Sequence, residues 1–390
     1  MPDKQIGPWP LGIDVVSDDS ALPAGALRDA LNVDIDRDGV IYSAPIPRSV
    51  VAGSYDSLYA TDDVVLASER GAVSKIDPTN GETTALFQMN SEDRVTFCNM
   101  MDGIVVMNRT TLAFYRNGSI AALGMDKPAQ PILSPSDSGG LYEGRYAVGI
   151  TTFNDQGEES ALSELAFVDV PAGGGITVNL PATNQPFFGI YRTNHNGDMV
   201  YFALRAPAMS QYQLGSGTLG RATDSQFMTR MVSGKIARAW NGRLLVAKGK
   251  LLIFSEPLRY GITSPRHNFV QFTRRITMLE PVDGGVFVGT RDGVYFLAGS
   301  TPKEWALKNT GGKIPIPMAS TGISTGELNP EMTANVGNGQ GAVWLAENGF
   351  VVGLPSGNII ELQRTRIRGL SGDAGGIAVF NRRVRATVGG

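Results

Sequence analysis

The chain has 390 residues, a formal net charge of -3, 42% hydrophobic and 18% charged residues, 48 glycines, 22 prolines and one cysteine. That length allows two domains and a sizeable core, while the lone Cys98 excludes an internal disulfide and a thiolate zinc cluster. A slightly acidic chain argues against a surface that holds nucleic acid by neutralising phosphates.

No run reaches the roughly 18 apolar residues of a membrane helix. The opening Met-Pro-Asp-Lys-Gln-Ile-Gly-Pro-Trp-Pro lacks the basic-then-apolar pattern of a secretory signal, so no membrane anchor and assembly in a cytoplasm are expected. High glycine with short apolar runs predicts many turns joining short strands, an all-β protein. The best helical stretch, Ala24 to Leu31, spans only about two turns.

From Leu31 the pattern is that of a hairpin. Leu31, Val33 and Ile35 alternate with polar residues, Asp38-Gly39 supplies a tight turn, and Val40, Ile41 and Tyr42 begin the return strand. Strand signals follow at Tyr55–Ala60, Val64–Glu69, Ala72–Asp77 and Thr83–Met89, punctuated by Arg70-Gly71 and Thr79-Asn80-Gly81. Four short strands in tandem are the content of one propeller blade. Arg94 to Leu123 repeats the scheme as a second blade.

Lys127 to Gly140 reads as a Pro/Ser linker, and a different grammar follows it. Strand patterns at Tyr146–Phe153, Gly175–Leu180, Phe188–Thr193, Met199–Arg205 and Gln211–Leu214 suit one β-sandwich. Blade grammar resumes at Gly234 with a three-strand meander (Ile236–Trp240, Leu244–Ala247, Leu251–Ser255). Another blade runs from Ile276 to Leu307, and a third from Ala342 to Leu362. The last hairpin, Gly376 to Val388, falls short of a full blade. Because a propeller is a ring, the N-terminal strands Leu31–Ala44 are expected to complete that last blade. This gives about six blades, five internal and one composite. The expected domains are a first propeller part (1–125), an inserted sandwich (126–225) and a second propeller part (226–390). Pro257–Phe272 and Gly311–Met332 stay unassigned.

Two stretches carry a resemblance. The Trp-x-Leu-Gly opening, followed by Leu22-Pro-x-Gly-x-Leu-x-x-Ala-x-Asn-Val-Asp and the hairpin, resembles the start of tail nozzle, or packaged-DNA-stabilising, proteins of short-tailed bacteriophages. Tyr146-x-x-x-x-Thr-x-x-Asn-x-x-Gly-x-Glu-Ser is similar to fibronectin type III sandwiches of phage structural proteins. The resemblance implies a β-propeller with a fibronectin type III-like insertion, working as a structural virion protein rather than an enzyme. It would form a homohexameric ring at the distal end of the tail and extend the DNA channel, with non-specific passage of genomic DNA. A tail adaptor would dock on one side and fibre, tailspike or plug proteins on the other.

The chemistry-bearing residues are few. His195 lies in an Asn-His-Asn-Gly turn and His267 in a loop, each read as an ordinary loop residue. Gly322-Ile-Ser-Thr-Gly matches the nucleophile-elbow pattern, but no histidine follows Ser324, and a Gly-rich loop is expected there. Gly215-Ser-Gly-Thr-Leu-Gly matches a dinucleotide fingerprint without a following helix. Asp34-Ile-Asp-Arg-Asp-Gly matches half of a calcium loop, yet its twelfth position is Pro45.

Glu158-Glu159 and Asp62-Asp63 read as solvated turns. Arg274-Arg275, Arg364–Arg368 and Arg382–Arg385 read as strand-edge charges, with Arg364, Arg366 and Arg368 on one strand face. No catalytic, cofactor-binding or metal-binding residue, and no cofactor, is assigned. A carbohydrate-binding propeller is the alternative; it would expose aromatics in several blades, whereas Trp240, Trp305 and Trp344 lie within apolar strands expected to be core.

Overall fold

A computed structural model describes residues 7–31, 33–36, 38–43, 49–328, 339–380 and 383–389. Five four-stranded antiparallel sheets, each a meander in chain order, form the body of a β-propeller. The first is Ser57–Ala60, Val65–Glu69, Ala72–Ile76 and Thr83–Gln88; the second is Thr96–Met100, Gly103–Met107, Leu112–Arg116 and Ser119–Ala122. The third is Ile236–Trp240, Arg243–Lys248, Leu251–Phe254 and Phe269–Gln271, so its fourth strand comes from the unassigned 257–272 stretch. The fourth is Ile276–Val282, Gly285–Thr290, Gly293–Ala298 and Ala306–Asn309. The fifth begins with Pro315–Ser324, also unassigned from sequence, and continues through Gln340–Ala346, Gly349–Gly353 and Ile359–Glu361.

The burial of these strands follows from the ring. A blade is covered on both faces by its neighbours, so its inner strands lose the polar-apolar alternation of a half-buried sheet. Gly285–Thr290 is buried at every residue, whereas the outer strand Ala306–Asn309 is exposed throughout. Alternation survives as a choice of neighbour. In the second blade Ile104 and Val106 pack with Leu66 and Phe97 toward the first blade. Val105 and Met107 pack with Leu244 and Val246 of the third. Leu245 and Ala247 in turn join Leu279, Val286 and Val288 of the fourth, and Phe287 packs with Trp344 of the fifth.

The sixth position is filled differently from the expectation. The hairpin Ala374–Phe380 and Arg383–Gly389 packs against the fifth blade, placing Ile377, Val379 and Val384 beside Ile323, Val343 and Val352. The N-terminal hairpin Val33–Ile35 and Ile41–Ser43 pairs only with itself among the described residues. The two chain ends do meet, through the backbone bond Val15 N to Arg366 O at 2.9 Å and an Arg385–Asp34 approach of 3.9 Å. They share no sheet among the described residues. The expected composite strand exchange is therefore corrected to side-chain and single-bond contact; residues 32, 37, 44 and 381–382 of the expected strands lie outside the described residues.

Two further expectations change. Within Ala24–Leu31, Ala26–Leu27 is a short strand parallel to Gly12–Ile13, not a helix. Arg364–Arg368 lies in a turn and the stretch after it rather than on one strand face. There Arg364 reaches Glu361 at 3.6 Å, and the Arg366 guanidinium donates to the Leu11 carbonyl.

Between the second and third blades, residues 132–214 form two sheets. One orders Ile132–Ser136, Gly175–Asn179 and Gln211–Leu214; the other orders Ala166–Val170, Gly144–Phe153, Phe187–Thr193 and Val200–Pro207. Tyr146, Ile150, Ile176, Val178, Phe188 and Ile190 from both sheets are buried in one cluster between them. Ile132–Ser136 occupies part of the expected linker. Arg259–Asp224 at 2.6 Å and Lys127–Glu164 at 2.5 Å tie the chain near the two crossings.

Candidate functional site

The inner strands converge on an axial cavity of about 480 Å³, lined among others by Tyr59, Arg94, Cys98, Arg238, Glu280 and Ser320. Arg238 sits in Ile236-Ala-Arg-Ala-Trp and Glu280 in Ile276-Thr-Met-Leu-Glu-Pro. In each case a charge interrupts an otherwise apolar inner strand. The neighbouring blades bring the two together: Glu280 Oε1 accepts from Arg238 Nη2 at 2.5 Å, from Arg238 Nε at 3.1 Å and from Ser320 Oγ at 2.8 Å. The Glu280 side chain is 2% exposed and that of Arg238 23%. Burial works against the guanidinium charge, but the adjacent carboxylate and its hydrogen bonds outweigh it and hold Arg238 above its ordinary pKa.

A second arginine spans the closure. Arg94 Nη1 donates to the Gly375 carbonyl of the C-terminal hairpin at 2.9 Å, and Arg94 Nε donates to Ser57 Oγ at 3.2 Å. Ser57 Oγ in turn donates to the Val95 carbonyl at 2.6 Å. One side chain thus links the first blade, the second and the hairpin.

These groups can hold the ring together and line a polar passage. Cys98 contributes little reactivity, because burial pushes its thiol up to about 12 and the thiolate is the nucleophile. Tyr59, stacked on Phe97 at 5.7 Å, is likewise raised, chiefly by burial.

The residues weighed from sequence are scattered. His195 caps a turn in the inserted sheets, its Nε2 2.6 Å from the Glu143 carbonyl, whereas His267 lies between Ile262–Thr263 and Phe269–Gln271. Ser324 ends a strand, with Gly322 opposite Ala342, so the expected Gly-rich loop is corrected to sheet. The glycines at 215 and 217 present carbonyls, not amides: both accept from Nη2 of the buried Arg192 at 3.2 Å. In the half calcium loop, Asp36 Oδ1 accepts from the Asp38 and Val40 amides, closing the hairpin turn.

Among the described residues no group of three or more His, Cys, Asp or Glu is placed to hold a metal ion. Glu159 is no free solvated charge, since it accepts from Thr151 at 2.7 Å and Tyr191 at 2.6 Å. Trp240 and Trp344 are 5% and 0% exposed, and the partly buried Trp305 packs on the same cluster as Trp240, with its ring 5.0 Å from that of Trp240. They are core. Arg94, Arg238 and Glu280 were missed from sequence, although a charge inside an apolar strand run is a readable signal.

No family model matches the chain, and comparison with curated proteins finds no match. Three solved structures similar to it are far removed in sequence. The WD40 domain of Neurospora crassa Pan2 is 11% identical, covering 85% of this chain and 84% of that one at a TM-score of 0.31. BBS1N, solved in complex with ARL6DN, is 8% identical over 87% and 90% at 0.35. Saccharomyces cerevisiae Sqt1 is 11% identical over 79% and 72% at 0.32.

Proposed function

We propose that the chain is a structural subunit of a virion tail ring, similar in role to the nozzle proteins of short-tailed phages. It would extend a DNA channel and dock an adaptor on one side and fibre, tailspike or plug proteins on the other. One observation supports this reading above the others. Among the described residues the sixth propeller position holds two strands where the other five hold four, and the N-terminal segment that reaches this region leaves Leu31 80%, Val40 45% and Tyr42 53% exposed. Apolar side chains left in water beside an unfilled blade position are what a subunit buries on assembly. The inserted sheets add Ile132 at 72% and Tyr142 at 80% exposure on a body outside the ring, which suits a docking module.

Negative-stain imaging of the purified protein, alone and with its neighbouring virion proteins, tests the proposal. Closed rings in either sample support it. Dispersed monomers in both overturn it.

A further inference from the structure

The meander topology sorts the turns of each blade by face. Turns between second and third strands lie on the same face as the lead-in to the innermost strand. On that face a cation occurs at the second-to-third turn of four consecutive blades: Arg70, Arg109, Lys248 with Lys250, and Arg291. The lead-ins add Arg94, Lys235, and Arg274 with Arg275. Some of these are neutralised, with Arg70 on Glu92 at 3.0 Å, Arg109 on Asp93 at 3.6 Å and Arg274 on Asp292 at 3.2 Å. Lys235, Lys248, Arg275 and Arg291 pair with no carboxylate among the described residues.

Four of the cations close on one cavity of about 230 Å³, lined by Arg109, Gly234, Lys235, Lys248, Gly249, Arg275 and Ile276. At about 30 Å³ per water, that is room for a phosphate group and several waters. Its walls are cross-tied: Ser233 Oγ donates to the Arg109 carbonyl at 2.9 Å, Lys235 N to Ala247 O at 2.8 Å, and Ile276 N to Gly249 O at 2.9 Å. A Cβ on Gly234 would meet Ala247 O at 2.5 Å, so this wall requires glycine. Lys235 is half-buried. Burial first, then Arg109, Arg275, Arg94 and Arg291, hold its ammonium below the ordinary value. Lys235, Lys248 and Arg275 are held close without a carboxylate partner among the described residues, while Arg109 shares its charge with Asp93; the three unpaired cations repel one another, and a bound anion relieves the repulsion.

The geometry points to a phosphate-binding site in the pocket between the Arg109, Lys235, Lys248–Gly249 and Arg275 loops. Its ligand is a phosphate group, carried on a nucleic-acid backbone or free in solution. Phosphate fits better than a single carboxylate because Arg275 offers a guanidinium with no carboxylate partner among the described residues beside the two lysines, Arg109 adds a guanidinium shared with Asp93, and a phosphate presents more acceptor oxygens and more charge. Lys250 and Arg291, at the second-to-third turns of the third and fourth blades, extend the positive surface beyond the pocket, as a polymer of phosphates would require.

The test uses the full chain, a fluorescent 30-base-pair DNA duplex read by anisotropy, and sodium phosphate read by thermal shift. Polyglutamate is the competitor control. The expected result is duplex binding whose affinity falls with salt. In Lys235→Gln/Arg275→Gln the affinity should drop at least about tenfold, and the slope of log K against log salt should shrink by about two. No duplex binding, but a phosphate-induced rise in melting temperature lost in the double variant, supports the free-phosphate source. Binding unchanged in the double variant, no response to either probe, or displacement by polyglutamate as effective as by phosphate overturns the site. If the double variant fails to fold by circular dichroism, Lys248→Gln/Arg291→Gln, which alters only exposed turn side chains, carries the same expectations. Lys308→Gln, on an outer strand of the fourth blade, should change nothing.

Discussion

Replacing Arg238 by methionine while Glu280 remains leaves a carboxylate that is 2% exposed, to which among the described residues only the Ser320 hydroxyl still donates. A buried charge stripped of its partner costs about 3–5 kcal/mol. Arg238 is itself 23% exposed, so water can enter where the guanidinium leaves, and the lower end of about 3 kcal/mol is expected. Glu280→Met alone strands the guanidinium, which keeps its bonds to the Ala237 and Ser320 carbonyls, and should cost less. The double variant Arg238→Met/Glu280→Met removes both charges, and apolar replacement of a buried pair is close to neutral. A urea-unfolding cycle over the four proteins therefore should give a coupling of at least about 2 kcal/mol. Tryptophan fluorescence and far-ultraviolet circular dichroism must report the same transition for that figure to have meaning. If Arg238→Met costs no more than the double variant, the two groups do not act as a pair, and the account of the axial cavity is wrong.

Arg94→Met should loosen the closure. Two hydrogen bonds from a half-buried cation are lost, worth about 1–3 kcal/mol together, and amide exchange in Gly375–Val379 should accelerate; unchanged exchange there counts against the clasp. Asp14 accepts from the Val16 and Ser17 amides and the Ser17 hydroxyl, chiefly Ser17, which holds its carboxyl below the ordinary range. A depressed folded value means the stabilisation is present above about pH 4 and disappears as pH falls through that lower value. Pepsin should accordingly cut the N-terminal segment faster on acidification, and Asp14→Asn should lose this pH dependence; an identical profile in the variant refutes it. Cys98, buried and raised to about 12, should resist a disulfide reagent at pH 8 in the folded protein and react once urea unfolds it; rapid reaction in the native state would contradict the burial.

How much of this was legible depends on the turns. Arg70-Gly71, Asn117-Gly118 and Asn241-Gly242 each place both residues at positive φ, the geometry of tight hairpins, and the strands they join were readable almost to the residue. Proline hid the others. Pro315–Ser324 opens Pro-Ile-Pro, slips register before Ser320 and carries Met318 at φ 63, so its period-2 signal is broken. Ile132–Ser136 contains Pro135 yet pairs with Gly175–Asn179 at the edge of its sheet, where a missing amide is tolerated. Arg366 and Arg385 looked like edge charges because local pattern cannot reveal that they face Leu11 and Asp34. The closing contacts join residues hundreds of positions apart, and no window along the chain contains both partners.

Net charge is blind to placement for a related reason. A net charge of -3 is a sum, and a propeller divides that sum between two faces by turn position alone. Turns between first and second strands carry Asp62-Asp63, Asp102 and Asp283 in three of the first four blades, while the second-to-third turns of those four blades carry Arg or Lys. Residues 235–250 of the third blade carry five cations and no carboxylate, whereas in the first, second and fourth blades the two turns lie only a few residues apart, so their charges offset one another in the total. Folding separates them by the length of a strand, about 17–20 Å and well beyond the roughly 8 Å over which physiological salt screens exposed charges. Each face then acts on its surroundings almost independently of the other. A near-neutral total is therefore compatible with a local cluster of cations without carboxylate partners among the described residues, such as Lys235, Lys248 and Arg275, on one face.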